Sequence, residues 1–153
     1  MNRIEFDMSV RPSIVIKDRQ RMDVKHLDIN GLRCLANGKI FITIEKKREF
    51  IVIESEVLDY LMQLKTVVDE IDSGNHKIVT VSGDYYSNNL RFTYDPRIKS
   101  LEIYEVNGAR FKIEVPYKEF RSALLHFYKL ALTDIGMLYP ELKENEEYRK
   151  LIK

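Results

Sequence analysis

Residues 50–74, FIVIESEVLDYLMQLKTVVDEIDSG, change their hydrophobic period in mid-course, and the order of the fold follows from that change. Phe50 to Ile53 is a short apolar run rich in β-branched residues, which suits a strand. From Val57 the apolar residues Val57, Leu61, Leu64, Val68 and Ile71 recur at steps of four, three, four and three, which draws one stripe along an α-helix. Ser55 is read as the N-cap, where its hydroxyl would accept an orphan N–H, and Gly74 as the C-cap, where the chain needs a positive φ. A strand therefore runs straight into a helix.

Upstream, Ile4, Phe6, Met8 and Val10 alternate with Glu5, Asp7 and Ser9, and Ile14 with Ile16 repeat the alternation after Pro12, so the chain is predicted to open in β. Ile40, Ile42 and Ile44 alternate again, and Lys46-Lys47-Arg48 is the predicted tip of a hairpin leading into Phe50. Downstream, alternation returns in Ile78-Thr80-Ser82, Leu90-Phe92-Tyr94, Leu101-Ile103 and Phe111-Ile113-Val115. Asn107-Gly108 is a two-residue hairpin signal, because both central positions of a type I′ turn take φ above zero. Pro116 suits a first helical turn, and Phe120, Leu124, Phe127, Ala131 and Ile135 then repeat at helical spacing to Gly136. Beyond Pro140 the segment Glu141–Lys153 is mostly charged and is read as a short C-terminal helix.

The expected fold is α+β: an antiparallel β-sheet of about 7–8 strands, two main amphipathic helices laid across one face, and the short C-terminal helix. Residues 1–153 are read as a single domain, since no linker divides them. The segments 50–55 and 111–116 both pass from strand directly to helix, a likeness between the halves that is compatible with duplication.

A chain of 153 residues and 18.1 kDa buries ~69% of the surface that its unfolded form exposes, enough for a core. With 25 Lys+Arg against 24 Asp+Glu the formal charge is +1, so the broad field of a nucleic-acid or anionic-membrane binder is missing, and neither partner is expected. The single cysteine, Cys34, cannot close an internal disulfide, which points to a reducing compartment, read as the cytoplasm. Residues 1–7 carry acids and no apolar core of a leader, and no window approaches the ~18 apolar residues of a membrane span.

Local signatures of chemistry are missing. The sequence contains no phosphate loop, Asn37-Gly38-Lys39-Ile40 lacking both the upstream Gly and the hydroxyl, and no Gly-x-Gly-x-x-Gly, His-Glu-x-x-His, Gly-x-Ser-x-Gly or Ser-x-x-Lys. No cofactor, metal or catalytic residue is therefore assigned, and an enzyme would need a dispersed site. Cys34 with His26 would make a thiolate pair if the intervening loop folded back; a small buried hydrophobe is the simpler reading. His126 lies one residue off the apolar stripe and is read as a flank or surface residue. Asp69, Asp72 and His76 would converge on a divalent ion at the end of the first main helix, although Asp72-Ser73-Gly74-Asn75 also has the composition of a plain helix-ending turn. Lys17, Arg19, Arg21 and Lys25 with Lys46, Lys47 and Arg48 make the first fifty residues locally basic, but Asp18, Asp23, Asp28, Glu45 and Glu49 are interleaved and cut the field.

Two features resist a purely structural reading. Glu56, Asp59, Asp69, Glu70 and Asp72 face a single Lys65 on the first main helix, and the last three lie where the macrodipole disfavours acids. Gly83–Asn89 is a polar loop with adjacent Tyr85 and Tyr86, a residue type enriched at binding hot spots. Asp69, Glu70, Asp72, Tyr85 and Tyr86 together are the expected partner-binding surface.

The segment Ile113-Glu114-Val115-Pro116-Tyr117-Lys118-Glu119-Phe120 leading into Leu124 and Phe127, set behind strands and one acidic mid-chain helix, resembles small bacterial immunity proteins. Those accompany polymorphic toxins, and the strand-to-helix passage is similar to the ending of the immunity protein paired with a wall-associated toxin. The resemblance runs from about Phe41 to Ile135 as an order of elements and assigns no functional position. It implies a non-catalytic protein that binds and neutralises a toxin domain; the alternative is a small-molecule or metal-dependent enzyme with a dispersed site at the Asp69–His76 corner.

Overall fold

A computed structural model describes residues 4–44, 49–83, 89–106 and 111–153. Strands β1 (Ile4–Ser9), β2 (Asn37–Ile44) and β3 (Glu49–Glu56) make one antiparallel sheet in the order β1-β2-β3. Its register sets Phe6 opposite Ile42 and Ile40 opposite Ile53. Ile40, Ile42, Ile44, Ile51 and Ile53 then fall on one face and are buried, as the period of two requires. A second antiparallel sheet, β4-β5-β6-β7, consists of β4 (Val79–Val81), β5 (Leu90–Asp95), β6 (Ser100–Glu105) and β7 (Lys112–Pro116).

The α+β class and the antiparallel pairing agree with the sequence, but the seven strands among the described residues lie in two sheets of three and four rather than in one. The reason is the helix between them. The 16-residue α3 (Val57–Asp72) carries the chain roughly 24 Å from the end of β3, so β4 starts beside β5 and not beside β3.

Helix α3 covers the predicted span, and Val57, Leu61, Leu64, Val68 and Ile71 are all buried. Leu58, Tyr60 and Val67 are buried as well, because the helix is enclosed on more than one side, touching β2, β3, β4 and the second main helix α4 (Tyr117–Leu138). α4 lies against β1, β6 and β7. Its Phe120 meets Phe6 of β1 at 5.9 Å and Phe92 of β5 at 5.7 Å, and Phe6 also stacks on Phe127 at 5.6 Å. One aromatic side chain thus ties both sheets to α4, and the buried residues of both sheets form one contiguous core.

Four local expectations change. Ile14 and Ile16 lie in helix α1 (Pro12–Arg21), not in a strand; two alternating residues carry no real period, and Pro12 sits at the first turn, where its missing N–H is harmless. Ser55 is the buried penultimate residue of β3, not a cap: Glu56 precedes the helix, and the Val57 N–H is accepted by the Ala36 carbonyl at 2.9 Å. In β4 the inward side chains are Val79 and Val81 while Ile78, Thr80 and Ser82 are exposed, a one-residue flip that an equally alternating neighbour permits. Cys34 is exposed rather than buried, its Sγ directed at the Asn30 carbonyl at 3.4 Å. The predicted hairpin tips at Lys46-Lys47-Arg48 and Asn107-Gly108 fall outside the described residues, although β2–β3 and β6–β7 do pair as hairpins.

The C-terminal segment is docked. After α4 a 3-10 turn (Pro140–Glu144) leads to α5 (Glu146–Leu151). Asn145, almost fully buried, caps α5 by accepting the Tyr148 N–H at 3.0 Å and donates to the Val24 and Leu27 carbonyls, both at 2.9 Å. Arg19 of α1 grips Glu141 at 2.6 Å. A charged tail is thereby fixed against the loop that leads into α2 (Ile29–Leu32).

Candidate binding groove

α3 and α4 run antiparallel, so the end of α3 meets the start of α4. At that corner the Asp72 carboxylate accepts the Tyr117 hydroxyl at 2.7 Å and the Arg121 Nε at 2.9 Å. Burial alone would raise the pKa of Asp72, but the bonds from Tyr117 and Arg121 outweigh it and hold the carboxyl below its usual range. Burial and the same bond push the Tyr117 phenol well above the ordinary tyrosine value. Asp72 is thus a strut between two helices.

The neighbouring acids are also engaged within the chain. Glu70 accepts the Asn75 side-chain amide, and its carbonyl accepts the Asn75 N–H at 2.9 Å. With Gly74 N–H on the Ile71 carbonyl and Gly74 at φ +87°, this is a Schellman ending, which needs a residue without a Cβ at Gly74. Asp69 pairs with Lys65 one turn earlier at 2.6 Å. The His76 ring packs edge-on to Tyr94 at 5.0 Å. Asp69, Asp72 and His76 therefore point to three different partners, and among the described residues no group of three or more His, Cys, Asp or Glu is placed to hold a metal ion. His26 is bonded to Asp23 at 2.8 Å. Tyr85 and Tyr86 lie outside the described residues.

A groove of about 1020 Å³ lies along the α3–α4 pair, lined also by residues of α5 and the C-terminal end and by Arg33 beyond α2. Met62, Lys65, Thr66 and Asp69 form one wall; their spacing of three, four and seven places them on a single face of α3, beside the buried stripe. The opposite wall comes from α4 with Leu125, His126, Tyr128, Lys129, Leu132 and Thr133. Across the groove the Lys65 ammonium stands 5.9 Å from the Tyr128 ring centre. Burial first, and then the Asp69 charge, raise the Tyr128 phenol above its usual value. Of the expected partner-binding residues that are described, Asp69 lines this groove and Glu70 and Asp72 do not.

Charge is distributed unevenly there. Arg33, Lys65, Lys129, Lys150 and Lys153 line the groove against a single acid, Asp69, in a chain whose formal charge is +1. Asp59 engages Arg33 at 2.6 Å and Glu147 engages Lys150 at 3.1 Å. Lys129 and Lys153 have no carboxylate within ion-pair distance among the described residues. Sequence reading missed this site because its cations come from four separated segments. The one local signal was the 62-65-66-69 face, which alone has the charge balance of an ordinary solvated flank.

Compared with models of protein families, with curated proteins and with solved structures, the chain matches none.

Proposed function

We propose that this chain is a non-catalytic protein-binding protein, an immunity protein that acts in the cytoplasm by occupying a bacterial toxin domain. The observation that supports the reading is the α3–α4–α5 groove: concave, open to solvent, and lined by apolar side chains together with Lys and Arg. Its walls are regular helices bound to the common core, which suits a preorganised docking surface. Asp69 belongs to that surface. Glu70 and Asp72 lie beside it and hold the α3 end in place, so their contribution to binding would be through the shape of the corner.

The test is co-expression with toxin-like domains, beginning with any that a neighbouring open reading frame encodes. The expected result is recovery of growth together with a stoichiometric complex that survives gel filtration. Failure of both, with the toxin domain folded and active alone, overturns the reading. Turnover of a small molecule by the purified chain, abolished at the Asp72–Tyr117–Arg121 corner, would replace it with the dispersed-site enzyme.

A further inference from the structure

We infer that the groove between α3, α4 and α5 receives an acidic amphipathic helix of a partner protein; this rests on the protein-binding reading above and specifies its partner chemistry. Three observations carry it. The first is charge complementarity: of the five Lys or Arg side chains that line the groove, Arg33, Lys65 and Lys150 pair with Asp59, Asp69 and Glu147, whereas Lys129 and Lys153 have no carboxylate partner among the described residues. An occupant bearing carboxylates would pair with cations that the chain itself leaves uncompensated.

The second is the apolar lining. Leu130 and Ile152 project from α4 and from the end of α5 with 52% and 54% of their surface exposed, and both line the groove with Met62, Leu125 and Leu151. Exposed aliphatic side chains collected in one concavity are a docking feature, whereas scattered ones are not. The third is shape. Two antiparallel helices present a furrow, and a further helix laid in it would pack at the ~8–10 Å usual between helix axes while burying residues at i, i+3, i+4 and i+7. Lys65 on the α3 wall and Lys129 on the α4 wall fit a helix with an apolar stripe flanked by Asp and Glu. Tyr128, half-buried with its ring under Lys65, supplies a rigid aromatic anchor at the centre.

The probe is a fluorescent 18-residue helical peptide with Leu at i, i+3, i+4 and i+7 and Glu elsewhere, compared with the same peptide carrying Lys for Glu. Expected is micromolar binding of the acidic peptide that weakens as salt is raised, with the basic peptide at least tenfold weaker. Lys129→Glu and Leu130→Ser, both on exposed positions, should each weaken it tenfold or more with no change in melting temperature. Equal binding of the two peptides, or variants that bind like wild type, overturns the assignment. So does concentration-dependent dimerisation abolished by Lys129→Glu, since the occupant would then be a second copy of this chain, and so does binding of dodecanoate in preference to the peptide. The two readings fail separately. A toxin-domain complex that persists unchanged in both variants removes the groove while leaving the protein-binding function; variant-sensitive peptide binding with no toxin domain bound or neutralised removes the toxin while leaving the groove.

Discussion

Ala36 and Lys99 occupy the same place in the two halves of the chain: each has a positive φ, 62° and 53°, and each carbonyl accepts the first N–H of the main helix of its half. Ala36 precedes β2, and its oxygen receives the Val57 N–H at 2.9 Å; Lys99 precedes β6, and its oxygen receives the Tyr117 N–H at 3.0 Å. The strands agree too, since Asn37 lies opposite Glu56 and Ser100 opposite Pro116. A left-handed residue, a strand, a hairpin return and a loopless entry into a helix thus occur twice. The joint explains why neither main helix has a side-chain cap: a backbone carbonyl from the neighbouring strand satisfies the first helical donor.

Because Lys99 is exposed and not a glycine, its left-handed backbone stores strain that the joint imposes. Lys99→Gly should stabilise the protein by up to ~1 kcal/mol, whereas Lys99→Val should destabilise it by at least as much, because a β-branched residue tolerates positive φ poorly. Urea denaturation of the two variants checks this, and a ranking of Val above Gly would mean that residue 99 is not held left-handed in solution.

The α3 stripe makes a sharper contrast at adjacent positions. Leu64 is fully buried, so Leu64→Ala should cost ~2–5 kcal/mol through lost packing and a cavity. Lys65 pairs with a well-exposed Asp69, and Lys65→Ala should cost only a few tenths, ~0.3–0.5 kcal/mol. Equal melting temperatures would contradict the enclosure of α3.

The longer periodic runs were legible. The span of α3, the α4 stripe from Phe120 to Ile135 and the Ile40–Ile42–Ile44 strand follow from side-chain period, because one-sided burial imposes it. Ile14 with Ile16 failed because two residues fit either period and Pro12 decides between them. The division into two sheets was not legible, since alternation tells which side chains face inward and not which strand is the neighbour. The acids at the end of α3 broke the macrodipole rule in the sequence; Asn75 and Lys65 meet Glu70 and Asp69 locally, while Tyr117 and Arg121 supply for Asp72 a tertiary compensation that no local rule contains. The groove joins residues 33, 62–69, 125–133 and 150–153, a juxtaposition created by α3–α4 antiparallel packing and by the docking of α5.

That docking depends on Gly136. A Cβ there would stand 2.3 Å from the Tyr148 hydroxyl, which donates to the Leu132 carbonyl at 2.5 Å in the α4–α5 contact. Gly136→Ala should therefore cost ~1–3 kcal/mol by overpacking, against the gain that alanine ordinarily brings to a helix interior. Limited proteolysis should show cleavage after residue 140 in this variant first, and adding Tyr148→Phe should restore part of the resistance. A Gly136→Ala protein more stable than wild type would place Tyr148 elsewhere.

The Asp72–Tyr117 bond sets opposite pH limits at one corner. The Asp72 carboxyl is depressed in the folded state, so its contribution is present above the unfolded value of ~3.9 and is lost as pH falls through the lower folded value. The Tyr117 phenol is raised, by burial first and by Asp72 next, so its contribution is present below ~10 and is lost as pH rises toward the folded value. Tyr139, raised by burial and by its 2.5 Å bond to Asp18, acts in the same alkaline direction. Asp72→Asn should thus lower the melting temperature at pH 7, with the deficit closing only as pH falls below the unfolded carboxyl value and through the lower folded one. Tyr117→Phe should remove part of the alkaline loss and also shift the Asp72 carboxyl upward, read by carbon NMR of the side chain. An Asp72 titration identical in wild type and Tyr117→Phe would show that the two groups are not bonded in solution, and the strut between α3 and α4 would have to be sought in Arg121 alone.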